Sequence, residues 1–140
     1  MSHINDGACQ KCISIRDKYP GFNLKLWTWF ADLQSKNPEV HVSCCGRGQT
    51  DQEDAFARRA SKAHFGQSAH NVNAALDVFC NLQGKSLYDL GWFNSVIGPN
   101  VPDWLDWYGR RDARFHELPH IEIKSWSSMG FNLVSLNINN

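Results

Sequence analysis

Histidines and carboxylates gather in two short runs of this sequence, and their types and spacing are those of a metal site. The first run, SAHNVNAALD, extends from Ser68 to Asp77 and carries His70 seven residues before Asp77. On a straight helix that separation is roughly 10 Å of rise, too far for both side chains to reach one ion at about 2 Å. The run does not read as a helix, however. Asn71 and Asn73 are turn formers that tolerate left-handed backbone angles. The ALDVFCNL that follows is apolar and partly alternating, as a strand is. A turn leading into a strand folds His70 back towards Asp77. The second run, FHELPHIEI, places Glu117 three residues before His120, with Pro119 bending the chain between them. His70, Asp77 and His120 make a three-ligand zinc set with a fourth position open for water, and Glu117 is left over as a base.

The elements that must position these groups follow from periodicity. From Asn23 to about Lys36 the chain reads as an amphipathic helix with Leu26, Trp27, Phe30 and Leu33 on one side. Asn23 caps its start and Asn37-Pro38 ends it. Val40 to Cys45 is a short strand, and Gly46 then turns the chain so that Arg47 sits at a strand end. Thr50 to about Ala63 is a second helix, opened by a Thr50/Glu53 capping box, with Gln52 in its first turn near Arg47. Ser86 and Asp89 open a third, whose apolar face is Leu87, Leu90, Trp92 or Phe93, and Ile97. Gly98-Pro99-Asn100 breaks it, and Pro102 begins a short turn through Leu105. Trp104, Trp107 and Tyr108 precede the second run, placed for core packing or for lining a cleft. The final NLVSLNINN alternates weakly, like an edge strand. These elements predict a single α+β domain over residues 1–140, with a small, mainly antiparallel sheet from the segments near 41–45, 75–82 and 115–124. Helices pack on one side, and zinc sits at the exposed face or edge of the sheet.

Composition narrows the function classes. Fourteen basic residues balance fourteen acidic ones, which argues against nucleic acid or an acidic membrane surface as partner. No window approaches the ~20 apolar residues that span a bilayer. The N-terminal MSHINDGACQKC has neither a basic n-region nor an apolar h-region, so a cytoplasmic location is expected. Five cysteines form a poor disulfide framework and read as reduced thiols. Cys9 and Cys12 nonetheless have the spacing of half a structural zinc site. Alternation along a strand lets at most one of Cys44 and Cys45 join them. His3, His41, His64 and His116 read as satisfied structural histidines. His116 and His120 would lie roughly 13 Å apart on one strand, so only one is a ligand, and the Pro-His-x-Glu context favours His120.

The motifs in order, Ser-x-His, Ala-x-Asp and Glu-x-Pro-His-x-Glu, resemble the zinc D-alanyl-D-alanine carboxypeptidase family. The phage endolysin branch, the L-alanyl-D-glutamate peptidases, is the most similar in style. Arg47 followed five residues later by Gln52 resembles that family's Arg-x-x-x-x-Gln segment. GQSAHN resembles its Gly-Gln-Ser-aromatic-His-Asn, and LDWYGRRDARFHELPHIEI the Trp-Gly-Gly run leading into its last His. The resemblance covers about Cys45 to Ile123. It departs at Asn73, where the family usually has Gly, and at Ala69, where it has a bulky aromatic.

The resemblance implies a zinc-dependent hydrolase of peptidoglycan stem peptide, cutting the L-alanyl-D-glutamate bond. His70, Asp77 and His120 hold the metal, Glu117 is the base, and Arg47 stabilises the oxyanion. Glu122 orients a ligand from behind, while Ser68, Gln52 and Trp104 meet the substrate. A monomer waiting in the host cytoplasm and acting on the wall after release is the expected setting. Three alternatives remain open: D-alanyl-D-alanine carboxypeptidase, a non-catalytic binding module like the hedgehog signalling domains, and a structural zinc domain, which needs a fourth protein ligand.

Overall fold

The computed structural model describes residues 20–114 and 117–128, with side chains from Leu24 onward. The expectations for His3, Cys9, Cys12, His116 and the C-terminal strand lie outside these residues. The fold is α+β, a four-stranded antiparallel sheet with three helices, as the periodicity predicts. The strands are β1 (Val40–Cys44), β2 (Ala75–Cys80), β3 (Leu105–Trp107) and β4 (His120–Ile123), in the order β1-β2-β4-β3. Helix α1 is Pro20–Lys36 and α2 is Gln49–Ala57. Helix α3 is the single turn Leu90–Trp92, prolonged by a wider π turn, Phe93–Ile97, and a 3-10 turn, Gly98–Asn100. No described helix is long and apolar enough to cross a membrane.

The two-residue period of the strands splits the sheet into unlike faces. Val40 pairs with Cys80, Val42 with Val78, Leu76 with Ile121, and Ile121 and Ile123 with Trp107 and Leu105. All of these are buried. Leu26, Trp27, Phe30 and Leu33 of α1 join the same cluster, as do Trp92, Phe93 and Ile97. Each such side chain contributes roughly 1.5–3 kcal/mol by leaving water. The opposite face carries His41, Asp77, Phe79, His120 and Glu122. There His41 stacks on Phe79 with ring centroids 5.6 Å apart. One irregularity matters for the site. Ser43 is an extra residue in β1, so Val42 pairs with Val78 but Cys44 pairs with Asp77. This bulge puts Cys44 beside a carboxylate.

Several predicted boundaries move, each for a local reason. Helix α1 already includes Pro20 among the described residues, so Asn23 lies inside it and is not its cap. Helix α2 begins after Gly48, which provides no side-chain cap, and ends at Ala57 instead of Ala63, before Arg59 turns left-handed at φ 61°. The Thr50/Glu53 capping box does not form, because Glu53 bonds the Phe65 amide at 3.1 Å and the His64 ring at 2.8 Å. Helix α3 is capped by Asp89, which accepts from the Trp92 amide at 2.8 Å, and Leu87 and Leu90 are exposed. Leu105 opens a strand, not a turn. Residues 117–119 form a turn, not the first part of a strand, since Pro119 has no amide for the ladder. Cys44 and Cys80 are free thiols, but Cys45 is disulfide-bonded. That corrects the expectation of five reduced thiols.

Trp107 links β3 to the turn before β4. Its indole Nε1 donates to the Leu118 carbonyl at 2.7 Å. Gly109 allows this, because a Cβ there would meet the indole nitrogen at 2.6 Å. Gly109→Ala is therefore expected to cost about 1–3 kcal/mol through overpacking. The urea midpoint measures it, and an unchanged midpoint would show that the indole has room to move.

Candidate metal centre and cleft

Sheet register assembles the centre of the site. Asp77, in mid-β2, faces Cys44 on β1 and His120 on β4, so three chemically active side chains form one cross-strand row. Glu122 follows two residues after His120 on the same face. The fourth group, His70, arrives from a single 3-10 turn, Ala69–Val72. Ser68 caps this turn by accepting from the His70 amide, and Asn71 accepts from the Ser68 and Gly66 amides at 3.2 and 2.9 Å. Asn73 ends the turn at φ 59°, ψ 29°, the left-handed conformation its residue type predicts. The turn-then-strand geometry does bring His70 to Asp77.

Both imidazoles are anchored on one nitrogen and directed at the same carboxylate oxygen by the other. His70 Nδ1 lies 2.7 Å from the Cys45 carbonyl oxygen, which can only accept, so this nitrogen carries the proton. His70 Nε2 lies 3.3 Å from Asp77 Oδ1. His120 Nε2 contacts Glu122 Oε1 at 2.7 Å, and its Nδ1 lies 3.1 Å from Asp77 Oδ1. The two rings meet edge to face, with centroids 5.0 Å apart.

Charge in the cluster follows from this arrangement. Burial disfavours a charged His70, but Asp77 and Cys44 outweigh it and raise its pKa to about 10. Burial likewise opposes charge on His120, yet its hydrogen bonds to the Asp77 and Glu122 carboxylates raise its pKa. Burial would raise the pKa of Asp77, but the two histidines hold it well below the usual carboxylate range. In the Cys44 thiol, burial is outweighed by His70 and Arg47, and the pKa falls to about 7. The cluster draws positive charge towards Asp77. The donor atoms of Cys44, His70 and Asp77 all lie within 4.8 Å of one another, and this group could hold a metal ion. Imidazole, carboxylate and thiol are the donor set of a borderline transition metal.

A cleft of about 330 Å³ opens over the cluster. Arg47, Ser68, Glu117 and Glu122 line it together with His70, Asp77 and His120. Gln52 and Trp104 do not, although both were expected to meet substrate. Gln52 is fully buried, at 0 % exposure. Its Oε1 accepts from Arg47 at 3.0 Å and from the Asn71 amide group at 3.1 Å. Its Nε2 donates to the Ala63 carbonyl at 2.6 Å and to Ser61 Oγ at 2.9 Å. The residue thus braces Arg47, the His70 turn and one wall at once. Trp104 packs against the core, with Lys25 Nζ 4.2 Å above its ring. His64 pairs with Glu53 and stacks on Phe56 at 3.8 Å, the structural role expected of it.

Of the three aromatics placed for core packing or for lining a cleft, Tyr108 lines it, with its ring centroid 4.5 Å from that of His120. Burial and a hydrogen bond to the Glu122 carboxylate push its pKa up. Sequence alone leaves core and cleft equally open for these three aromatics, and it offers Cys44 only as a partner of Cys9 and Cys12. Cys44 depends on the bulge at Ser43, which no periodicity reveals.

The fold and the site define an α+β domain with a Cys/His/Asp group able to hold a metal beside a cleft. Comparison of the chain with protein-family models, with curated proteins and with solved structures finds no match. Because the buried Gln52 amide bonds four partners, the buried Asn71 among them and Arg47, Ser61 and Ala63 half-buried, Gln52→Ala is expected to cost about 1–3 kcal/mol, the penalty of stranding such groups. Chemical denaturation measures it. A loss below the error of the method would show that the wall and Arg47 stand without the amide.

Proposed function

We propose that this chain is a zinc-dependent peptidoglycan hydrolase of the L-alanyl-D-glutamate peptidase type. The observation that carries the reading is the pair of imidazoles, each tied down on its far nitrogen and aimed at one Asp77 oxygen. This is how a protein holds histidine ligands, since the outer bond sets tautomer and ring orientation. His70, Asp77 and His120 would hold the ion. His120 is preferred to Cys44 as third ligand. The thiol lies 3.9 Å from His70 Nδ1, the nitrogen already bonded to Cys45, and it accepts from Arg47 at 3.3 Å.

Zinc, when bound, supplies Lewis acidity towards a water and a peptide carbonyl at neutral pH. The chain's own groups supply the rest. Glu117, on the turn before β4, takes a proton from the attacking water on its carboxylate and returns it to the leaving amine. Arg47, held planar between Gln52 and Cys44, directs a fixed cation at the developing oxyanion. Glu122 accepts a hydrogen bond from the His120 Nε2–H and keeps the ring from turning. The ordered resemblance of the motifs to wall peptidases supports stem peptide as the substrate.

Glu117→Ala is expected to keep the zinc and lose ~10²–10⁴ in hydrolysis rate, whereas His70→Ala should lose most of the metal. Metal analysis and turbidity clearing of purified wall material check both. Full zinc occupancy in His70→Ala would mean the ligand set is wrong. Mass spectrometry of the digest should show peptides beginning with D-glutamate; free D-alanine as main product would mean a carboxypeptidase.

Cys44 favours a second reading, a closed site in which the thiol is the fourth ligand and no substrate position remains. Cys44→Ser decides between them. The peptidase reading expects zinc content and hydrolysis to persist, and loss of the metal in that variant would establish the closed site.

A further inference from the structure

Most charges that line the cleft are already engaged. Asp77 and Glu122 bond the two histidines, and Arg47 bonds Gln52 and Cys44. Arg59 and Lys62 also line the cleft and are exposed. Neither makes a hydrogen bond or ion pair through its side chain among the described residues. Lys62 is felt electrostatically by Asp112, but that carboxylate is occupied by Arg114 through contacts of 2.6 to 3.0 Å. Among the described residues, two cations thus stand on one wall without an anionic partner in contact.

The wall that carries them is firmly built. Ala60 and Ser61 amides bond the Ala55 carbonyl at 2.8 and 3.0 Å, tying the chain back to α2. Arg59 adopts φ 61°, a conformation that disfavours a side chain. Beyond it, Ser61 and Ala63 are held by the buried Gln52 amide. The same amide holds Arg47. Arg59 and Lys62 therefore share one rigid support with the catalytic arginine, and that support fixes the wall from which they project.

We propose that Arg59 and Lys62 form an anion subsite that binds a free carboxylate of the substrate peptide. This rests on the peptidase reading, under which the α-carboxylate of the D-glutamate is the anion nearest the bond cut. Guanidinium and ammonium groups pair with a carboxylate through charge-assisted hydrogen bonds, whereas a carboxamide offers them one neutral acceptor oxygen and no charge. The chain should then prefer stem peptides whose glutamate is not amidated.

The test compares two synthetic stem tripeptides, alike except that the D-glutamate α-carboxyl is free in one and amidated in the other. Calorimetric titration is done on the zinc-loaded full chain carrying Glu117→Gln, which prevents turnover, and on the same chain with Arg59→Gln and Lys62→Gln added. The free carboxylate should bind about tenfold more tightly. The double substitution should abolish that preference while leaving the affinity for the amidated peptide unchanged. Equal binding of both peptides before substitution, or a preference that survives it, overturns the subsite alone. Binding of neither peptide overturns the peptidase reading and the subsite with it.

Discussion

A single carboxylate, largely removed from water in the middle of the sheet, governs this molecule. The Asp77 side chain is only 20 % exposed, and an unpaired charge in such a place costs several kcal/mol. Positive or proton-donating groups must therefore surround it. Sheet register places Cys44 on one side and His120 on the other, while the turn before β2 adds His70. Each of these is held from behind, by Arg47, Glu122 and the Cys45 carbonyl respectively. The demand of one buried anion thus extends through two layers of side chains.

That arrangement makes the folding of the chain and the formation of the site the same event. The strands that bury Val42, Val78, Leu76 and Ile121 on one face must, by alternation, present Asp77 and His120 on the other. Gln52 extends the coupling beyond the sheet. Its amide uses both ends, and through it α2, the His70 turn and the wall at residues 61–63 become one body. Tyr108 and Trp107 do the same on the far side, joining β3 to Glu122 and to the turn that bears Glu117.

Much of this was legible from residue types. The alternation of ALDVFC, the left-handed turn at Asn73 and the apolar stripe of α1 are local properties, and each appears where the sequence places it. Local signals also misled. Thr50 and Glu53 have the spacing of a capping box, but a more distant amide and imidazole compete successfully for the Glu53 carboxylate. Leu105 to Trp107 is too short to reveal itself as a strand, and it becomes one only because β4 offers an unpaired edge. Trp104 has the chemistry of a cleft residue, yet its surroundings are core.

By itself the sequence determined the class of fold, the two runs that carry histidine and carboxylate, and the backbone turn that reverses the chain between His70 and Asp77. These depend on periodicity, residue chemistry and φ preference, all of which act within a few residues. Tertiary structure alone decided that Cys44 stands opposite Asp77, that Gln52 is a buried brace, and that Tyr108 rather than Trp104 faces the cleft. A bulge of one residue, a hydrogen-bond network across α2 and the pairing of a three-residue strand set those positions. Each is a competition among contacts distant in the chain, so no local reading of the sequence could have resolved it.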